Sequence, residues 1–150
     1  MIKVEKANLS HIAQIVKFQI SMAMETEGVC LNAAIVLEGV KQVILDPAKG
    51  HYYVAIDDSA VLGCFMITYE WSDWRNSWVW WLQSLYIPSA YRNRHIFTQM
   101  FQYIKNQIIE DNDVCGLRLY VDKTNLTAKE IYEHMGMSGD HYQTFEWMKN

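Results

Sequence analysis

The stretch from Trp78 to Asp122 sets a β-rich run, a basic turn, an amphipathic helix and a second β-rich run in succession, an order that leaves few folds open. Trp78–Ile87 is apolar and stops at Pro88, and the turn Tyr91–Arg94 is basic. Phe97, Met100, Phe101, Ile104 and Ile108 then recur at the helical period within Ile96–Ile109, and Gly116–Asp122 reads as the next strand. Two strands joined through a helix of this length lie parallel, with a right-handed crossover. The helix start after the turn is a natural anion site. Its first N–H groups have no intrahelical acceptor, and the helix dipole is positive there.

The rest of the chain builds out from this unit. Residues 2–6 are a short strand, and Asn8 caps a helix whose apolar positions run from Leu9 through Val16 to Ala23, ending near Gly28. A second helix starts at Asn32, buries Ile35, Val36, Val40, Val43 and Ile44, and is stopped by Asp46-Pro47. Lys49-Gly50 turns the chain into His51–Ile56 and Val61–Glu70, two strands joined by a hairpin signal in DDSA. Asn125 opens a further helix carrying Ala128, Ile131, Tyr132 and Met135 on one face, and His141–Met148 is read as a last strand. The length and an apolar content of 51% predict one globular domain over residues 1–150.

Charge and patterning exclude several functions. A net charge of −4, with no basic cluster beyond Arg92 and Arg94, argues against a nucleic-acid surface. No stretch approaches the roughly 20 apolar residues of a membrane span, and MIKVEKANLSHI has polar and acidic residues where a signal peptide needs an apolar core, so a cytoplasmic location is expected. Cys30, Cys64 and Cys115 have no CxxC spacing and read as buried structural thiols. His11, His51, His134 and His141 have no ligand spacing with cysteines or acids, so no metal is expected.

The helix opened by Asn125 reads N-x-x-A-x-x-I-Y-x-x-M-G-M, and with the Arg92–Phe97 turn it resembles the acetyl-CoA-binding motifs of the GNAT N-acetyltransferase superfamily. The resemblance covers nearly the whole chain and implies an α+β fold: a mixed sheet whose central parallel strands splay apart to admit the pantetheine of acetyl-CoA. In that family the turn reads R/Q-x-x-G-x-G/A. Here Arg92, Asn93, Arg94, His95, Ile96 and Phe97 stand there, with His95 and Phe97 in place of glycine and a small residue. A side chain at positive φ costs about 1–2 kcal/mol, although histidine enters that region more often than most residues. Read without the family, the turn is a solvated basic loop.

The resemblance implies a chemical role for each of these residues. The turn and its two arginines hold the pyrophosphate. Backbone groups of Leu85, Tyr86 and Ile87 align the pantetheine and polarise the thioester carbonyl. Asn125, beside Ala128, bonds the pantetheine or the strand carrying it, and Tyr132 protonates the leaving thiolate; otherwise Tyr132 is a packing residue. Gln83 stands where polyamine acetyltransferases of the superfamily carry a glutamate, and it cannot accept a proton. Glu70 is therefore the candidate base or amine anchor, ahead of Asp73 and against the alternatives of a water chain and of a plain strand-end carboxylate. Glu25, Glu27, Trp71, Asp73 and Trp74 are candidates for an aromatic and acidic wall that would take an ammonium group. The same tryptophans suit a homodimer interface or a cap on the core. The expected activity is transfer of an acetyl group from acetyl-CoA to a primary amine of a small molecule, polyamine-like or amino-acid-like, in a ternary complex. The alternative is a non-catalytic acyl-CoA sensor or an interaction module on the same fold.

Overall fold

The computed structural model describes all 150 residues as two compact units, Met1–Arg118 and Leu119–Asn150. In the first unit a five-stranded mixed sheet has its strands in chain order: β1 (Ile2–Lys6), β2 (His51–Asp57), β3 (Ala60–Ser72), β4 (Ser77–Tyr86) and β5 (Val114–Arg118). The first four are antiparallel neighbours, and β4 and β5 are parallel. The crossover between them is α3 (Ile96–Glu110).

Each face of the sheet buries its own helices. On one side Ile12, Ile15, Val16 and Phe18 of α1 (Ile12–Glu27) and Val40 of α2 (Ala33–Leu45) pack on Tyr52, Val54, Cys64, Met66 and Tyr86. Side chains alternate along a strand, so Tyr53, Phe65 and Ile67 point to the opposite face. There α3 packs along β5 and β1 and buries Ile96, Met100, Phe101 and Ile104.

Local chemistry explains most of the boundaries. The Asn32 side chain accepts from the N–H groups of Ala34 and Ile35, and α2 ends before Asp46-Pro47, where proline forbids continuation. Asn8 caps a 3₁₀ turn at Leu9–His11, so α1 begins at Ile12, later than the periodicity suggests. Gly50 is held at φ +145°, and a Cβ there would stand 2.5 Å from the Ile67 carbonyl oxygen, so the turn into β2 needs glycine. Cys64 is buried, with its thiol pushed up to about 12 by desolvation, whereas Cys30 and Cys115 are exposed. Cys115 is the residue skipped where the β4–β5 register shifts, which takes it out of the apolar pattern around it.

In the second unit the regular element is α4 (Leu126–His134). Asn125 caps it by accepting from the Ala128 N–H at 3.1 Å. Gly136, at φ +89°, closes it with Gly136 N–H to Glu133 O and Met137 N–H to Tyr132 O, both at 3.0 Å. The strand expected at His141–Met148 is not formed. Its apolar positions Tyr142 and Phe145 are three apart, which breaks the period of two, and no second strand in this unit offers a ladder.

Candidate active site

The parallel pairing of β4 with β5 ends at Trp81 and Arg118, and β4 runs on to Tyr86. Past that point β4 is deformed. Between Cys64↔Tyr86 and Met66↔Gln83 it holds one residue more than β3, and Ser84 stands at φ +55°. The bulge is pinned from α1: Gln19, buried in the apolar face of that helix, donates its amide to the Ser84 carbonyl at 3.1 Å and lies 3.4 Å from Cys64 Sγ. Sequence reading passed over both residues. The available signal was Gln19 itself, a polar side chain three and four positions after Val16 and Ile15 on an otherwise apolar stripe.

After β4 the chain enters the basic turn. Asn93 (φ +66°) and His95 (φ +58°) both adopt the left-handed conformation, so the backbone at the family's glycine position His95 is glycine-like although the residue is not. Alternation of backbone hand is how successive N–H groups come to converge on an anion. No side chain caps α3, whose first N–H groups stay available to a ligand. The two arginines are engaged with carboxylates. Arg92 Nη2 bonds Glu25 Oε2 at 2.7 Å, its Nε donates to the Ile87 carbonyl at 2.9 Å, and its guanidinium lies 5.8 Å from the Tyr86 ring centre. Arg94 reaches Asp57 at 3.4 Å.

Glu25 closes this cluster. Its other oxygen accepts from the Tyr86 hydroxyl at 2.7 Å, and Arg92 first, with Tyr86, holds the carboxyl below its ordinary range. Glu70 stands opposite Val79, two residues before the β4–β5 pairing ends at Trp81 and Arg118, on the face shared with Trp81, Thr68 and Gln83. Trp81 Nε1 donates to one Glu70 oxygen and Arg118 Nη1 to the other, each at 2.7 Å, and these bonds hold its pKa down, Trp81 foremost. Thr68 donates to Gln83 Oε1 at 2.9 Å.

The hairpin residues are placed elsewhere. Asp73 caps its own turn by accepting from the Trp74 N–H, Trp74 is 88% exposed, and Trp71 packs edge-on against Trp78. Trp71 pairs with Trp78 at the start of β4, and Asp73 and Trp74 lie in the turn before it, roughly 30 Å of strand from Tyr86 and Glu25. The structure therefore gathers Glu25 with Tyr86 and Arg92 and places Glu70 on Gln83's face of the sheet, but it keeps Trp71, Asp73 and Trp74 away from Glu25; Trp71 directly follows Glu70 and points to the opposite face of β3. Glu27 is exposed near the end of α1. In the other unit, burial pushes the Tyr132 phenol up, so it is protonated at neutral pH.

The model of the acetyltransferase (GNAT) family matches residues 21–137, a span that takes in the bulged strand, the left-handed turn and the uncapped helix. The chain belongs to this family. The GNAT fold is also that of a possible acetyltransferase from Clostridium difficile 630, 39% identical, with a TM-score of 0.94 over 100% of this chain and 99% of that one. A predicted acetyltransferase from Clostridium acetobutylicum, solved with acetyl-CoA, is 15% identical, with a TM-score of 0.76 over 97% of this chain and 96% of that one. The ribosomal-protein-alanine N-acetyltransferase of Brucella melitensis biovar Abortus 2308 is 11% identical, with a TM-score of 0.80 over 99% and 100%. At these lower identities the likeness is one of fold. No curated protein matches the chain. GNAT membership carries the coarse chemistry, acyl transfer from an acyl-CoA to an acceptor. No helix is long and apolar enough to cross a membrane.

Proposed function

We propose that this GNAT protein transfers the acetyl group of acetyl-CoA to a primary amine of a small molecule by direct attack in a ternary complex. The observation that carries the reading is the turn: Asn93 and His95 in the left-handed region ahead of an uncapped α3, at the end of a strand bulged at Ser84. Those amides fit a diphosphate, and Arg92 and Arg94 exchange Glu25 and Asp57 for its oxygens when it binds. Backbone groups of Leu85–Ile87, past the bulge, align the pantetheine and polarise the thioester carbonyl. The bound cosubstrate supplies the activated acetyl group.

The protein's side chains then handle charge. Once Arg92 has turned to the diphosphate, Glu25 stays ionised beside Tyr86 and offers its carboxylate to the acceptor's ammonium. Glu70, whose pKa is held down by Trp81 and Arg118, is a weak base and acts as an anion that positions the amine. After deprotonation to solvent water, the amine nitrogen forms its bond to the acetyl carbon. The carbon–sulfur bond breaks, Tyr132 gives its phenolic proton to the departing thiolate, the attacking nitrogen loses its extra proton to water to leave the amide, and the Tyr132 phenolate takes a proton back from water. A non-catalytic sensor is the second reading, favoured by one observation: both candidate acids, Glu25 and Glu70, have lowered pKa values, which makes each a poor side-chain base. An acceptor screen over diamines, amino acids and aminoglycosides, following thiol release from acetyl-CoA, separates them. Amine-dependent release supports the enzyme; tight acetyl-CoA binding with no release from any acceptor supports the sensor.

A further inference from the structure

A second pocket, of about 570 Å³, opens at the far end of α3 and is lined by Tyr69, Trp78, Trp80, Asp111, Asp113 and Val114. It lies away from the proposed acetyl-CoA turn. The turn precedes the first residue of α3 and Asp111 follows its last, roughly 22 Å along the axis. Trp78 and Trp80 face α3's side of the sheet, opposite Trp81 and Glu70, and β4 is bonded to β5 along this stretch, so the sheet separates the pocket from Glu70.

Three features give it one kind of chemistry. Tyr69 meets both indoles nearly at right angles, at 6.4 Å and 72° to Trp78 and at 5.9 Å and 69° to Trp80, which makes an open aromatic box. His51 engages the Tyr69 hydroxyl, and burial lowers the His51 pKa, so the imidazole brings no cation to the box. The second feature is two carboxylates without an ion-pair partner: Asp111 Oδ1 accepts only the Asp113 N–H, and neither acid joins any salt bridge. The third is their position. Glu110, Asp111 and Asp113 crowd the C-terminal end of α3, where the dipole is negative, cations are favoured and the last turn supplies none. Acids placed there cost stability, and sequences retain such conflicts mainly where a site needs them.

We infer that this pocket binds an organic ammonium ion, as a site separate from acetyl transfer, with Trp78, Trp80 and Tyr69 taking the alkylated face of the cation and Asp111 and Asp113 its charge. Aromatic faces, carboxylates and helix carbonyls all attract a cation, and the box rewards one with apolar substituents over a bare metal ion.

Titration with tetramethylammonium chloride, read by calorimetry and by the indole N–H signals, tests this, with potassium chloride matching ionic strength and tert-butanol as a neutral analogue of similar shape. The wild type should saturate with a Kd on the order of 1 mM or tighter. In the Asp111→Asn, Asp113→Asn double variant the affinity should fall about tenfold or more, and because the removed charges oppose the helix dipole, the variant should melt no lower than wild type. Acetyl-CoA binding should be the same in both proteins, which keeps this test apart from the acetyltransferase reading. The inference is overturned if no saturation appears, if the double variant binds the ion as well as wild type, or if tert-butanol or potassium matches it.

Discussion

Glu25 and Arg92 are 67 positions apart in the chain, yet each takes the other's charge, and this pair decides how the turn meets its ligand. If the diphosphate must take Arg92 from Glu25, Glu25→Gln removes the competitor. Acetyl-CoA should then bind a few-fold more tightly while the KM for a cationic acceptor rises, a split that titration and steady-state kinetics read separately; equal shifts in both would remove Glu25 from the acceptor side. Tyr132→Phe should lower kcat by roughly 10- to 1000-fold with acetyl-CoA affinity retained, since the ring stays and only the proton is lost. An unchanged kcat would make Tyr132 a packing residue. The motif around it needs careful reading, because Asn125 and Gly136 have complete structural explanations as the N-cap and the closing residue of α4. Those roles were hidden inside a family pattern, whereas His95 stood out because it departed from one. Partner choice such as Glu25 with Arg92 was not readable, because nothing local couples positions so far apart.

Helices and strands were easiest to read where their ends carry their own chemistry. Asn32, Asp46-Pro47 and Asn125 bound α2 and α4 through local hydrogen bonds and sterics. Along β4 the unbroken pairing with β3 puts Trp78 and Trp80 on one face and Val79 and Trp81 on the other, as simple alternation requires. The bulge at Ser84 escaped because period-two reasoning assumes an unbroken strand, and the break is imposed from outside by Gln19. That makes Gln19 the element-level test. Gln19→Leu leaves the Ser84 carbonyl without its donor and should cost about 1–3 kcal/mol in urea unfolding. It should also lower turnover by relaxing the strand that aligns the pantetheine. Full activity in a destabilised variant would confine Gln19 to stability.

Across the protein as a whole, the carboxylates tied to arginines and to the N-terminus set the response to acid. Glu25, Glu70 and Asp57 have folded pKa values below their ordinary 4.5, 4.5 and 3.8. Groups depressed in this way add stability above the unfolded value and lose it as pH falls through the folded value. Urea unfolding should therefore show a plateau near neutrality and a decline that begins below about pH 5, shallow because these pairs are partly exposed. A decline starting near neutrality would point to histidines instead. Acetyl-CoA should raise the melting temperature by mass action. The sharpest measurement is a calorimetric titration of acetyl-CoA into wild type and His95→Asp, because aspartate tolerates the left-handed conformation and caps a helix well, yet puts negative charge where the diphosphate must sit. Saturable binding to wild type, with at least about a tenfold loss in a variant that melts at the same temperature or higher, is the predicted result. Equal affinity for the two proteins, or no binding to either at millimolar acetyl-CoA, would contradict the placement of the diphosphate at the start of α3.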